Sequence, residues 1–152
     1  PMSFKNKISH DTVHLTLPLF VIVALRTINQ IELPRNVMLW GTARNQQELA
    51  SLYCSVNLTL ITSKRETFSM VCAESLCCGT PVVGFKAGGP ESIAISDYSD
   101  FVEYGNIDLL KRAVEDMLKK KKFVQDIAEE AKNIYSREKM ARNYLNVYKQ
   151  LI

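Results

Sequence analysis

Short apolar runs recur along the first two thirds of the chain and predict β-strands. Phe20–Leu25 is a continuous apolar run rich in β-branched residues, which is typical of a strand buried on both faces. Four shorter runs, bounded by polar residues, glycine or proline, predict further strands at Asn36–Trp40, Leu58–Ile61, Pro81–Phe85 and Phe101–Tyr104.

Helical spacing of apolar residues fills the segments between several of these runs. Gln46–Cys54 is predicted to be a helix, with Asn45 in the position of an N-cap. Phe68–Cys78 is a second predicted helix, which ends at Gly79. Beyond Asn106 apolar residues repeat every three or four positions to the end of the chain, which predicts a helical tail.

The alternation of strands and helices with short loops predicts βαβ units. We therefore expect an α/β fold, a Rossmann-like parallel sheet flanked by helices on both faces, with a helical C-terminal tail. Sheets of this kind bind ligands at the carboxyl ends of their strands. Function should therefore reside in the loops after Ile61 and Phe85.

Both loops contain residue types suited to a phosphorylated sugar. The first loop, Thr62–Ser69, opens directly into a helix, whose N-terminus near Ser69 and Met70 offers N–H groups to a phosphate. Inside that helix Glu74 could accept hydrogen bonds from a diol such as ribose. The second loop, Lys86–Glu91, contains two glycines that allow close approach of a ligand.

Each of these features also has a plainer interpretation. Glu66 and Glu74, taken singly, are ordinary surface carboxylates, and Gly88–Pro90 is a tight turn. Their order along the chain favours a site, because a phosphate at the helix start and hydroxyls at the acids together describe a sugar nucleotide.

Composition indicates an ordinary globular domain. Of the 152 residues, 47% are hydrophobic and 23% are charged, and the net charge of +3 gives no reason to expect a nucleic-acid partner. Much of the positive charge lies in Lys119–Lys122, which we interpret as a solvated helix end. The four cysteines form no Cys-x-x-Cys pair, which indicates free thiols in a reducing, cytosolic compartment.

Features near the start of the chain suggest other classes of protein. The apolar run Leu15–Leu25 is too short to span a bilayer, and Arg26 follows it where a signal peptide would have a cleavage site. His10 and His14 could pair on a helix, but no third ligand lies nearby, so no metal site is expected. Because the chain begins at Pro1, we interpret it as a fragment.

The stretch Glu66–Val83, ETFSMVCAESLCCGTPVV, resembles the E-x7-E signature of retaining GT-B glycosyltransferases of family 4. Two glutamates eight apart are common by chance, but here Gly79–Val83 and Gly88–Glu91 follow in the family's order. Flanking matches lie at Leu33–Asn36, Gly41, Asn45–Ala50, Leu52, Tyr53 and Ser63. The resemblance is close from Leu33 to Tyr104 and loose over the helical tail.

The resemblance implies a role for each matched residue. Glu66 would bind hydroxyls of the transferred hexose and is the predicted catalytic residue, while Glu74 would hold the ribose. The other predicted residues for binding the sugar donor are Phe68, Ser69, Met70, Gly88, Gly89, Glu91, Lys64 and Arg65. The donor would be a UDP- or GDP-sugar, transferred with retention in polysaccharide or glycoconjugate synthesis, without a metal or other cofactor.

The chain departs from the family pattern in two respects. Family members carry an Arg and a Lys after the first strand of this domain that grip the diphosphate, and here only Lys5 and Lys7 precede Phe20. The acceptor-binding domain is also absent, so we expect residues 1–152 to form one nucleotide-sugar-binding domain with a divergent N-terminal part and little activity alone.

The expected partners are a nucleotide sugar and the missing acceptor domain. The expected location is the cytoplasm, and attachment to the membrane face is left open. Two alternatives remain: a truncated, inactive domain, and a GT-B-like nucleotide-sugar epimerase.

Overall fold

The computed structural model describes residues 20–23, 34–120 and 124–151, which belong to two compact units. The first unit, Pro1–Ser51, contains the parallel strands β1 (Phe20–Val23) and β2 (Val37–Gly41). Helix α1 (Gln46–Ser55) begins in this unit and ends in the second.

Several sequence interpretations concern residues outside those that the structure describes. They are Lys5, Lys7, His10, His14, the apolar run Leu15–Leu25 apart from β1, Lys121 and Lys122.

Asn45 caps α1, as its position in the sequence predicts. Its Oδ1 accepts a hydrogen bond from the Glu48 N–H at 2.8 Å. Glu48 in turn accepts one from the Arg44 N–H at 2.8 Å. Two N–H groups at the start of the helix are thereby satisfied by side chains.

The second unit, Leu52–Ile152, is built on a parallel sheet in the order β3-β4-β5. Its strands are β3 (Thr59–Ile61), β4 (Val82–Phe85) and β5 (Ser99–Val102). Its helices are α2 (Met70–Cys77), α3 (Pro90–Ile93), α4 (Ile107–Lys119), α5 (Val124–Tyr135) and α6 (Arg137–Gln150). The predicted α/β fold, a parallel sheet flanked by helices with a helical tail, is confirmed.

Neighbouring residues of the central strand β4 face different hydrophobic clusters. On one face Val82 belongs to a cluster with Leu76 of α2 and Ile127 of α5, and all three are fully buried. On the other face Val83 belongs to a cluster with Met117 of α4. Side chains alternate along a strand, so a strand between two clusters reads as a continuous apolar run.

Gly79 reverses the chain between α2 and β4. It has a φ of 79°, and its N–H donates to the Leu76 carbonyl at 2.9 Å. The Thr80 N–H donates to the Ser75 carbonyl at 3.0 Å, which completes a Schellman motif. A Cβ at Gly79 would lie 2.4 Å from Val124 Cγ1, so α5 begins directly against this turn.

Helix α2 begins at Met70 and not at Phe68 as predicted. Ser69 has a φ of 70°, a left-handed conformation that an α-helix does not contain, so the helix starts after it. The apolar periodicity that includes Phe68 therefore overestimates the helix by two residues.

The fifth strand begins at Ser99 and not at Phe101. Ser99 and Asp100 pair with β4 through their backbones, which the apolar pattern does not record. Helix α3 and a 3₁₀ turn at Ser96–Tyr98 are too short to produce a periodic signal and were not predicted. Within the described residues the strands also belong to two sheets, where the alternation predicts one.

None of the helices in the described part of the chain is long and apolar enough to cross a membrane.

Replacing Gly79 and Gly105 by alanine separates the cost of a left-handed backbone from the cost of packing. Both have positive φ, 79° and 84°, but a Cβ at Gly105 meets no atom within 4 Å. We expect Gly105→Ala to lower the free energy of unfolding by about 1–2 kcal/mol through conformation alone. Gly79→Ala should cost about 1–3 kcal/mol more, because its Cβ overlaps Val124. Urea unfolding measures both, and equal losses would contradict the packing of α5 on this turn.

Candidate functional site

The two loops that the sequence singles out are bonded to each other at the carboxyl edge of the sheet. The Glu66 N–H donates to the Ala87 carbonyl at 3.0 Å, and the Gly89 N–H donates to the Glu66 carbonyl at 2.9 Å. These bonds form a parallel bridge between Glu66 and Gly88. Because the bridge extends the pairing of β3 with β4 beyond the strand ends, the sheet sets the position of Glu66.

Both glycines of the second loop permit this approach of two backbones. A Cβ at Gly89 would lie 2.6 Å from the Phe68 amide nitrogen and 2.9 Å from the Glu66 carbonyl oxygen. Gly88 has a φ of 101°, a conformation that strains any other residue.

The Glu91 carboxylate also binds the backbone of the second loop. Its two oxygens accept hydrogen bonds from the Ala87 N–H at 2.9 Å and the Gly88 N–H at 2.7 Å. Burial acts to raise the pKa of Glu91, but these backbone hydrogen bonds, with the nearby Lys86 ammonium, outweigh it and lower the pKa. Glu91 therefore stabilises the loop as a carboxylate.

An open cleft of about 760 Å³ lies over the start of α2. Its lining consists of Arg65, Glu66, Thr67, Phe68, Ser69, Met70, Val71 and Ala87. The structure thus brings together five predicted site residues: Arg65, Glu66, Phe68, Ser69 and Met70. The other five lie outside this lining: Lys64, Glu74, Gly88, Gly89 and Glu91.

The two oxygens of the Glu66 carboxylate have different surroundings. The Ser63 hydroxyl donates to Oε1 at 2.7 Å, whereas Oε2 is buried and receives no hydrogen bond from the residues that the structure describes. A buried acceptor without a donor costs about 1–3 kcal/mol, so a hydroxyl group supplied by a ligand would offset that cost. Ser63 was not predicted as a site residue, although it lies among the flanking matches to the family.

The start of α2 leaves backbone N–H groups free in the cleft wall. The Ser69 hydroxyl caps the helix by accepting from the Cys72 N–H at 3.4 Å. The N–H groups of Met70 and Val71 donate to no group in the part of the chain that the structure describes. Together with the positive end of the helix dipole, these groups suit an anion.

Glu74 lies one helical turn beyond Met70, on the same side of α2. Its Oε2 accepts a hydrogen bond from the Tyr53 hydroxyl of α1 at 3.3 Å. Burial makes the largest contribution to a raised pKa of Tyr53, and the Glu74 carboxylate raises this pKa further. The hydroxyl therefore stays protonated and donates. Tyr53 was not predicted as a site residue, because a contact across 21 positions leaves no local pattern.

The three basic residues near the cleft have different surroundings. The Lys64 ammonium lies 5.8 Å from the centre of the Tyr104 ring, a cation–π contact. Lys86 forms an ion pair with Glu103 at 2.6 Å. Arg65 lies in the cleft wall itself and has no ion pair among the described residues.

The described residues contain no group of three or more His, Cys, Asp or Glu side chains that could hold a metal ion.

Cys72 is buried in α2, and burial, with a contribution from Glu66, raises the pKa of its thiol to about 12. The thiol is therefore protonated at neutral pH and is not a nucleophile. The chemistry of the cleft rests on its carboxylate, guanidinium and backbone N–H groups.

Comparison with known protein families identifies the class of this domain. A family model described as glycosyl transferases group 1 matches residues 25–134. The chain belongs to this family. The matched span includes the whole cleft lining and both glutamates of the E-x7-E pattern.

Curated relatives are longer than this group 1 chain. It is 26% identical over 129 residues to the N-acetyl-alpha-D-glucosaminyl L-malate synthase of Bacillus anthracis, covering 82% of this chain and 33% of that protein. It is 30% identical over 113 residues to a D-inositol 3-phosphate glycosyltransferase of Nocardioides sp., covering 70% of this chain and 24% of that protein. The chain thus spans about a third or less of these relatives.

Solved structures share its fold. The chain resembles sucrose-phosphate synthase from Thermosynechococcus elongatus with a TM-score of 0.62 and 24% identity, covering 76% of this chain and 30% of that one. It resembles the Anabaena protein Alr3699/HepE, solved in complex with UDP, with a TM-score of 0.59 and 20% identity, covering 76% and 32%. These likenesses confirm the predicted GT-B type of α/β domain.

Replacing Glu91 by glutamine should weaken the second loop in a pH-dependent way. Because the folded-state pKa of Glu91 is lowered, its contribution is present above the ordinary pKa of glutamate and is lost as pH falls through the lowered value. We expect Glu91→Gln to cost about 1 kcal/mol of unfolding free energy at neutral pH. The difference from the unsubstituted chain should shrink between about pH 5 and pH 3.

Urea unfolding at several pH values measures this difference. Glu129→Gln, at an exposed position of α5, is the control. A difference that does not change with pH would show that Glu91 does not act through its charge.

Proposed function

We propose that this domain binds the sugar donor of a retaining, family 4 GT-B glycosyltransferase, which transfers a hexose from a UDP- or GDP-sugar. The observation that carries the proposal is the Glu66 carboxylate. It lines the cleft beside the N–H groups of Met70 and Val71, which have no acceptor in the described part of the chain, and its buried Oε2 has no hydrogen-bond donor there either. A hexose hydroxyl supplies that donor once the carboxylate turns toward the cleft, and a phosphate accepts from the N–H groups.

The order of groups along the loop that begins at Glu66 and then along α2 matches the order of groups in a nucleoside diphosphate sugar. In this proposal Glu66 binds the hexose, the backbone N–H groups of Phe68, Ser69 and Met70 face the distal phosphate, and Glu74 holds the ribose. Glu74 is one turn beyond Met70, which is about 6 Å along the helix axis. That spacing supports a ligand laid along the helix.

Arg65 takes over part of the diphosphate binding that the family assigns to a missing Arg and Lys. It lies in the cleft wall and is not engaged in an ion pair with the described residues. A guanidinium group suits phosphate because it offers paired N–H donors. Lys64, held over Tyr104, adds positive charge nearby.

Charge on the leaving nucleoside diphosphate is then stabilised by Arg65 and the start of α2, without a metal ion. The bond between the anomeric carbon and the distal phosphate oxygen breaks, and a bond to the acceptor hydroxyl oxygen forms with the same anomeric configuration, while the hydroxyl proton passes to the leaving diphosphate. Glu66 binds hexose hydroxyls throughout and orients the ring in this step.

Known proteins support the use of a nucleotide sugar. Alr3699/HepE from Anabaena, which shares the fold, has been solved with UDP and with UDP-glucose. In the longer enzyme that we propose, a separate domain binds the acceptor, and the product is a polysaccharide or glycoconjugate made at the cytoplasmic side. That wider role rests on the resemblance to the family.

Titration calorimetry with UDP and then GDP tests nucleotide binding and identifies the base. Replacing Glu74 by alanine should weaken the bound nucleotide by about 1.5–3 kcal/mol, or about ten- to a hundredfold, because a charge-assisted hydrogen bond to ribose is lost. Glu129→Ala, at an exposed position of α5, is the control and should bind as the unsubstituted chain does. No binding of either nucleotide would refute the proposal.

Glu66→Gln should distinguish the sugar subsite from the nucleotide subsite. We expect it to weaken UDP-glucose by about tenfold, because one charged acceptor for hexose hydroxyls is lost. The affinity for UDP should not change, because UDP has no hexose. If GDP is the nucleotide bound, GDP-mannose and GDP replace this pair. Equal weakening of both ligands would contradict the assignment of Glu66 to the hexose.

A further inference from the structure

Tyr53 is anchored to α2 and the turn that follows it by hydrogen bonds at both ends of the residue. Its hydroxyl donates to Glu74 Oε2 at 3.3 Å, and its backbone carbonyl accepts from the Thr80 hydroxyl at 2.6 Å. Tyr53 is 9% exposed and Thr80 is 3% exposed. Both anchors are therefore largely shielded from competition with water.

The Thr80 anchor is itself part of a buried polar chain. The Ser75 hydroxyl lies 2.9 Å from the Thr80 carbonyl and 2.7 Å from the Thr59 hydroxyl of β3. Through Thr80 and Ser75, the backbone of Tyr53 is tied to the same sheet and helix that carry the cleft. Because the backbone of Tyr53 is fixed in this way, the position of its ring relative to Glu74 is fixed as well.

Glu74 has no comparable support of its own. Tyr53 donates the one hydrogen bond that its carboxylate receives from the described residues, and the glutamate side chain is partly exposed. Ordering a free glutamate side chain costs about 1–2 kcal/mol of conformational entropy. A carboxylate that is held before the ligand arrives avoids most of that cost on binding.

We propose that Tyr53 is a positioning residue that orients the Glu74 carboxylate toward the ribose hydroxyls of the nucleotide. This inference rests on the proposed function. Tyr53 occupies Oε2 through its hydroxyl and leaves Oε1 to accept from the ribose. The ring does not touch the ligand in this arrangement and acts through Glu74 alone.

The test compares UDP with 2′,3′-dideoxy-UDP, which lacks both ribose hydroxyls, by titration calorimetry on the full chain. The dissociation constant of the dideoxy analogue divided by that of UDP reports how strongly the ribose hydroxyls are recognised. Tyr53→Phe keeps the ring and removes the hydrogen bond. Because that bond is long, we expect the variant to lower the ratio by about two- to fivefold, by weakening UDP and leaving the dideoxy analogue unchanged. The guanosine pair replaces the uridine pair if GDP is bound.

Tyr135→Phe is the matched control. Tyr135 is partly buried, its hydroxyl donates to the Ile93 carbonyl in the same unit, and it does not line the cleft. The ratio of dissociation constants for Tyr135→Phe should equal that of the unsubstituted chain. Glu74→Ala and the double variant Tyr53→Phe/Glu74→Ala complete a cycle, in which Tyr53→Phe should have no further effect once Glu74 is removed.

The outcomes separate this inference from the proposed function. If Tyr53→Phe weakens both nucleotides equally, or acts as strongly in the Glu74→Ala background, Tyr53 supports the fold and the positioning role is refuted. If the unsubstituted chain binds UDP or GDP but Glu74→Ala leaves the ratio unchanged, the ribose assignment of Glu74 is refuted, and the role of Tyr53 is refuted with it. If the chain binds neither nucleotide, the proposed function itself is refuted.

Discussion

The candidate site depends on two backbone hydrogen bonds between the loops that follow β3 and β4. They join Glu66 to Ala87 and Gly89 and form an isolated parallel bridge beyond the ends of the two strands. The backbone of Glu66 is therefore positioned by the sheet and not by the conformational preferences of its own loop. Gly89 is what makes this contact sterically feasible, since any side chain there would overlap Phe68 and Glu66.

The two glutamates of the E-x7-E pattern are supported in the same manner. Each carboxylate receives one hydroxyl donor from the protein, from Ser63 to Glu66 and from Tyr53 to Glu74. One oxygen of each is thus held, and the other accepts no hydrogen bond from the described residues. This is an efficient arrangement for recognising hydroxyl-rich ligands, because the side chain is ordered while its capacity to accept is kept.

Sequence patterns predicted the regular elements well and the contacts between them poorly. Helix α1 follows from apolar periodicity and strand β4 from a continuous apolar run, because packing in the core imposes both patterns. The start of α2 was placed too early because the left-handed conformation of Ser69 belongs to a loop whose shape comes from tertiary contacts. The hydrogen bond from Tyr53 to Glu74 joins different helices, so no local spacing encodes it.

The chemistry of the cleft was predictable only as residue types. The glutamates, glycines and basic residues were recognisable in order along the chain. The backbone bridge at Glu66 determines which of these side chains lie together in the cleft wall. Arg65 lines the cleft, whereas Lys64 lies over Tyr104. Glu91 bonds the backbone of the glycine loop, a role that its place after Pro90 does not reveal.

The placement of Val82 and Val83 in opposite clusters has a consequence for how the binding cleft can diversify. A shift of β4 by one residue would exchange these two side chains between clusters of different composition and would move the glycine loop by about 3.3 Å. Packing in the core therefore fixes the register of β4 and, with it, the position at which the glycine loop begins. Exposed positions in the cleft wall can then change to suit a different ligand while the backbone around Glu66 keeps its place.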